Sequence, residues 1–254
     1  MIVSAAPGPL ARASGDIARL MDVLTGGERY EAALEHDPSA FVVGIPTSYY
    51  CDDLSPEIAR NYDEAIAILR SLGIRLRPVD IPDHSGFADL ADAIWKPEAA
   101  ALHLATLQST PDLLAPQARA RLTQGLAASA VDYIRARQLR SVKLQTMLEG
   151  PLSRCDAIVT PALRIAPPLA SEVEADGGEE MRRNLEAITA FTRPLNFLGL
   201  PGLVTPSGVA ASGAPLAIQL IGRPRREDVL LRLGHAFEEA GHFNRLRPAF
   251  LDRA

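Results

Sequence analysis

FVVGIPTSYYCDDLSPEIARNYDEAIAILRSLGIRLRPVDI, residues 41–81, contains one complete unit of an α/β fold. FVVGIP (41–46) is a short, β-branched apolar run closed by proline, the pattern of a strand buried on both faces. Ser55-Pro56 then places a capping hydroxyl before a proline in the first helical turn. Ile58, Tyr62, Ala65, Ile66 and Leu69 recur at helical spacing and form one apolar face, and Gly73 ends the helix. IRLRPVDI (74–81) alternates like a strand. The segment therefore reads as strand–helix–strand, parallel and right-handed.

Working outward, Ser14 is placed to cap a helix with Ile17, Leu20, Met21 and Leu24 on one face, stopped by Gly26. Residues 86–149 read as helical in two or three pieces, with Gly125 and the Ser129–Asp132 capping pattern marking a break near 127. DAIVTPAL (156–163) is a strand ending in a proline-marked loop, and the polar EVEADGGEE (172–180) reads as a surface loop. A helix to about Asn196 leads into GLPGLVTPSG and the apolar strand LAIQLIG (216–222). A last helix carries Val229, Leu230, Leu233 and Phe237, with Gly241 as its cap. Five strands alternating with helices predict an α/β fold: a mixed, mostly parallel sheet flanked by helices. It is expected to occupy one domain over 1–254, divided into the 41–81 unit, the helical 86–149 stretch and the strands and helices of 156–241.

The 254 residues are 47% hydrophobic and 22% charged, a globular composition. A net charge of −5, with both signs mixed along the chain, argues against nucleic acid or an anionic membrane surface as partner. No stretch is long and apolar enough to span a bilayer, and the first residues lack a signal-peptide core, so a cytoplasmic location is expected. Cys51 and Cys155 lie far apart without a C-x-x-C or Cys/His pattern and read as two free thiols.

The generic catalytic and nucleotide-binding motifs are absent from the sequence. There is no G-x-G-x-x-G, P-loop, H-E-x-x-H or G-x-S-x-G. His36, His84, His103, His235 and His242 have no metal-ligand spacing, so neither a metal nor a cofactor is expected. Glu179-Glu180 and Glu238-Glu239 are adjacent, diverging pairs and read as solvated faces. Only Lys96 and Lys143 are lysines. Ser141 and Lys143, two residues apart on a helix, point to different faces. Lys96 lies in IWKPEAAALH, before a proline at an expected helix start, and reads as a surface residue. Ser207, in P-S-G, reads as a small turn residue.

One family resemblance holds over most of the chain. GPLARASGDIARLMDVLTGG (8–27), the 41–82 unit, DYIRARQLR (132–140), CDAIVTPALRIAPP (155–168) and TRPLNFLGLPGLVTPSGVAASGAPLAIQLIGRPRREDVLL (192–231) occur in the order found in the C-terminal half of amidase-signature hydrolases. The last of these is the most specific, being similar to "N-x-x-G-L-P…G-x-P-x-x-x-Q-x-[IV]-G". Ala217 stands where the family usually has a second glycine. The chain thus resembles amidases and the amidase subunit of glutamyl-tRNA amidotransferases.

The resemblance implies part of an α/β/α amidase-signature fold and hydrolysis or transfer of amide groups. That chemistry uses a serine nucleophile, a bridging serine and a lysine whose pKa must be lowered by its surroundings. In the family these residues precede the matching region, so none carries over and the catalytic set of this chain is expected to be empty. The reading is of a pocket-forming C-terminal half, truncated relative to the family and inactive alone. The alternative is a non-catalytic binding protein built on the half-fold. Thr160 and Pro161, Thr192 and Asn196, and Gln219 are the expected pocket residues, because α/β sheets bind ligands beyond their strand ends. A small-molecule amide is the expected substrate of the full family domain. Self-association, or a partner chain supplying the missing half, is expected for this one.

Overall fold

The computed structural model describes residues 8–84, 86–173 and 179–245. In chain order its elements are α1 (Ser14–Thr25), α2 (Arg29–Ala33), β1 (Val42–Pro46), α3 (Pro56–Ser71), β2 (Arg75–Val79), α4 (Phe87–Leu102), α5 (Leu104–Ser109), α6 (Pro116–Leu126) and α7 (Ala130–Glu149). There follow β3 (Ala157–Pro161), α8 (Ala170–Val173), α9 (Glu179–Thr189), α10 (Arg193–Leu198), β4 (Gly202–Val209), β5 (Pro215–Gly222) and α11 (Glu227–Gly241). These fall into two compact units. One comprises residues 83–146 and 193–199; the other comprises 8–82, 147–192 and 200 onward.

The larger unit holds a five-stranded sheet in the order β2-β1-β3-β5-β4. The 41–81 segment forms as expected: β1 and β2 pair in parallel, with α3 between them in sequence. The Ser55 side chain accepts a hydrogen bond from Ile58 N, Pro56 occupies the first turn, and Gly73 follows the helix at φ 75°. Ile58, Tyr62, Ala65, Ile66 and Leu69 are all buried. Asp156 joins β1 to β3 from both sides: its carboxylate accepts Val42 N at 2.8 Å and its own N–H donates to Val42 O at 2.8 Å.

The sheet is mixed. Its β2–β1–β3 part is parallel, while β3–β5 and β5–β4 are antiparallel, so the parallel share is smaller than the strand–helix alternation predicts. The reason is local. GLVTPSGV forms strand β4, and the short turn through Gly213 closes a β4–β5 hairpin, which cannot be parallel. One face of the sheet packs on α3 and α11 through Val43, Val159, Leu203, Ile218, Leu220, Leu69 and Phe237.

Several local expectations change. Ser14 is the first residue inside α1, not its cap; Ala13 holds the cap position. The buried stripe of α1 is Ser14, Ala18 and Asp22, flanked by Ile17 and Met21, whereas Leu20 and Leu24 are exposed. Glu238 is not solvated. It is buried on α11, where its carboxylate accepts Ser14 N (2.8 Å), Ser14 Oγ (2.7 Å) and Thr205 Oγ1 (2.7 Å). The left-handed residue after α11 is His242 rather than Gly241. Glu172 and Val173 end α8, and Glu179 and Glu180 begin α9; the middle of the expected 172–180 loop lies outside the described residues.

The smaller unit is helical, with four α-helices over 86–149 rather than two or three, because His103 and the prolines at 111 and 116 interrupt the run. The break near 127 is present, and Ser129 Oγ accepts from Val131 N and Asp132 N at the start of α7. Pro97 lies inside α4, so Lys96 is mid-helix and partly buried rather than at a helix start. Gly125 lies within α6, where it lets the helix approach α4. A Cβ there would sit 2.2 Å from the Lys96 carbonyl oxygen.

Candidate functional site

Strands β1 and β3 run in the same direction, so their C-terminal ends lie on one edge of the sheet. Chain reversals beyond such ends are where α/β sheets gather ligand-binding groups. Here the loop after β1 (47–55) and the loop after β3 (162–169) are joined by Ser55 N–H donating to Arg164 O at 3.1 Å. The first loop is conformationally unusual. Tyr49 and Asp53 both have left-handed backbones, at φ 60° and 54°. A bulky residue there stays only when its surroundings enforce it. Asp52 helps, its carboxylate accepting Tyr49 N at 2.7 Å.

The enforced turn brings Tyr49 and Tyr50 against Phe191. Ring centroids are 4.9 Å apart for the tyrosine pair, 6.0 Å for Tyr49–Phe191 and 5.2 Å for Tyr50–Phe191. Edge and tilted arrangements of this kind suit aromatic quadrupoles. Tyr49 OH donates to Ala190 O at 2.8 Å. Tyr50 and Phe191 are buried, and burial pushes the Tyr50 phenol well above its ordinary pKa, so it stays neutral. Arg164 lies over the Phe191 ring with its guanidinium carbon 5.3 Å from the centroid, a cation–π geometry.

Three of the expected pocket residues join this cluster. Thr160 and Gln219 are register partners and share a sheet face. Gln219 Nε2 donates to Thr160 Oγ1 and to Phe191 O, each at 3.2 Å, and the Thr160 hydroxyl donates to Pro161 O at 2.9 Å. All three are buried. Thr192 follows Phe191 directly and is half-buried, its hydroxyl donating to Thr189 O at 3.4 Å. Asn196 is exposed on α10 and belongs to the other compact unit. The sequence reading missed Tyr49, Tyr50, Arg164 and Phe191. Adjacent tyrosines in an acidic loop were the one available signal, since nothing local says that Phe191 meets them.

The groups a hydrolase would need are committed elsewhere. Lys96 Nζ pairs with Asp92 at 2.7 Å. Lys143 Nζ reaches Asp83 O at 3.5 Å and stands over the Phe87 ring. Ser207 is buried and donates to Asn61 Oδ1 at 2.5 Å, while Asn61 Nδ2 donates to Ser207 O at 2.8 Å. Among the described residues neither lysine hydrogen-bonds a serine, and no group of His, Cys, Asp and Glu is arranged to hold a metal. No described helix is long and apolar enough to cross a membrane. A surface hollow of about 600 Å³ beside α1 and α2 is walled by groups already engaged: Arg19 pairs with Glu31, and Asp22 accepts Tyr30 N and Glu31 N.

The amidase family model matches residues 3–231. The chain belongs to the amidase family. An amidase of Pseudomonas putida is 29% identical over 96% of this chain and 55% of its own length. A subunit of the glutamyl-tRNA(Gln) amidotransferase of Bradyrhizobium diazoefficiens is 30% identical over 95% of this chain and 55% of its own length. Among solved structures, an amidase superposes with TM-score 0.77 at 30% identity, covering 91% of this chain and 52% of its own. The chain thus spans about half the length of the relatives it matches. Family membership agrees with the resemblance read from the 8–27 and 192–231 motifs and with the mixed α/β sheet.

Proposed function

We propose that this chain supplies the pocket-forming portion of an amidase acting on the carbon–nitrogen bond of a small-molecule amide, and does not turn over substrate by itself. The observation that carries this is the pairing of a family match over 3–231 with the absence, among the described residues, of any serine–lysine hydrogen bond. A serine hydroxyl needs an adjacent base to become nucleophilic. Thr160, Pro161, Thr192 and Gln219, with the Tyr49–Tyr50–Phe191 cluster, are assigned to the substrate side of the cleft. Asn196, in the other compact unit, is proposed as a substrate-binding residue on its sequence motif alone. The family catalytic groups would come from the portion that the relatives possess beyond this match.

The two sheet edges support that arrangement. The β2 edge carries Arg75, Arg77 and Pro78, residues that discourage pairing with another strand. The β4 edge instead exposes Val204 and Val209, about half of each side chain's surface. The β4 edge is therefore assigned to strand pairing with that complementary portion.

The test has two arms. The purified chain is assayed on simple amides, and a chimera is made with the N-terminal portion of the Pseudomonas putida amidase fused ahead of residues 8–245. Amide hydrolysis by the chimera and none by the chain is the expected result. Hydrolysis by the chain alone that disappears in Ser207→Ala would overturn the reading.

A further inference from the structure

Arg164 is unusual among the arginines of this chain. Its Nε is buried and has no hydrogen-bond partner, and among the described residues no carboxylate is found paired with its guanidinium. Several other arginines have acceptors: Arg140 Nε donates to Phe197 O, Arg223 to Leu152 O, and Arg232 Nε to His36 O. A buried N–H without an acceptor is strongly unfavourable, and more so on a charged group. The backbone nevertheless holds Arg164 in place through Ser55, and Phe191 supports the guanidinium face from below. A planar cation held over an aromatic ring, with an unused donor, is prepared for an acceptor from outside the chain.

We propose that Arg164 is a carboxylate-recognition residue, so that the amide substrate of this site carries a carboxylate that the guanidinium grips. This rests on the amidase reading above. The guanidinium fork matches two coplanar oxygens. The Phe191 ring under it, itself packed against Tyr49 and Tyr50, suits an organic body rather than a free inorganic anion. Phosphate sites gather several backbone N–H groups or a helix N-terminus, and Arg164 stands in neither. Charge makes the same point. In a chain of net charge −5, one guanidinium selects a monoanion more readily than a dianion.

The experiment compares succinamate, a four-carbon amide bearing a carboxylate, with the neutral diamide succinamide, by ligand-observed NMR titration of the full chain at pH 7.5. Succinamate should bind at least about tenfold more tightly, the worth of one charge-assisted hydrogen bond. Arg164→Gln should abolish that preference, and Arg164→Lys should keep part of it. Equal affinity for the two amides, no binding of succinamate, or an unchanged preference in Arg164→Gln would each overturn the proposal. The preference of the wild-type chain requires no variant, so a variant that fails to fold leaves a decisive measurement. Binding is read without turnover, so an inactive chimera would count against the amidase reading and not against this site.

Discussion

Replacing Glu238 with alanine should destabilise the fold by about 3–5 kcal/mol. Glu238 is 4% exposed and accepts three hydrogen bonds, from Ser14 N, Ser14 Oγ and Thr205 Oγ1, at 2.7–2.8 Å. It joins α1 and β4 to α11 at one buried point. Hydrogen bonds to a charged acceptor contribute about 1.5–3 kcal/mol each. Three such bonds would sum to more than the figure given. The two hydroxyls, however, can rotate toward other acceptors once the carboxylate is gone, whereas the Ser14 N–H cannot. Differential scanning calorimetry is a suitable assay, since about 4 kcal/mol in a chain of this size corresponds to roughly 8–16 °C in Tm. Glu239→Ala, at the exposed neighbouring position, should stay within about 0.5 kcal/mol of the parent. Ser14→Ala should lose less than Glu238→Ala, and the double variant should lose less than the sum of the two, because both remove the same bond. Equal Tm values for Glu238→Ala and Glu239→Ala would refute the network's role in stability.

Leu69 is fully buried against the sheet and Arg60 is exposed on the same helix, so Leu69→Asp should lower stability by several kcal/mol while Arg60→Asp stays near neutral. Urea melts that shift equally for both would refute the assigned face of α3. Burial raises the Cys155 thiol to about 11, so almost no thiolate exists at pH 8, while Cys51 is exposed. A thiol reagent at pH 8 should therefore label one site quickly and the other slowly, with the slow rate climbing as pH rises toward 11. Loss of the slow phase rather than the fast one in Cys51→Ser would contradict the assignment. Among the described residues no strand pairs with the outer edge of β4, which predicts concentration-dependent association, visible by light scattering across a tenfold dilution. Val204→Lys should reduce it, and a dilution-independent monomer would show that the edge is not sticky.

The strand–helix–strand unit at 41–81 was legible because every signal in it is local. A β-branched run, a Ser-Pro cap, an apolar stripe of period 3.6 and a terminal glycine each report on a few neighbouring residues. The break after α6 was legible for the same reason, through Ser129. The pairing of Gln219 with Thr160 was half legible: both residues belonged to recognisable motifs, but only the β3–β5 register makes them partners. Their chemical surroundings were not. Tyr49, Phe191 and Arg164 are separated by more than a hundred residues at the extreme, and no periodicity links them. Glu238 shows the same limit from the other side. Two adjacent glutamates near the end of an amphipathic helix look alike in sequence, yet one is exposed and the other is the acceptor for three donors on two distant elements. Period, capping and composition set local conformation and the apolar face, while the family was legible only through the resemblance of its ordered motifs, above all 192–231. Which polar groups meet inside is decided by packing, because a buried donor or acceptor is satisfied by whatever the folded chain brings within about 3 Å.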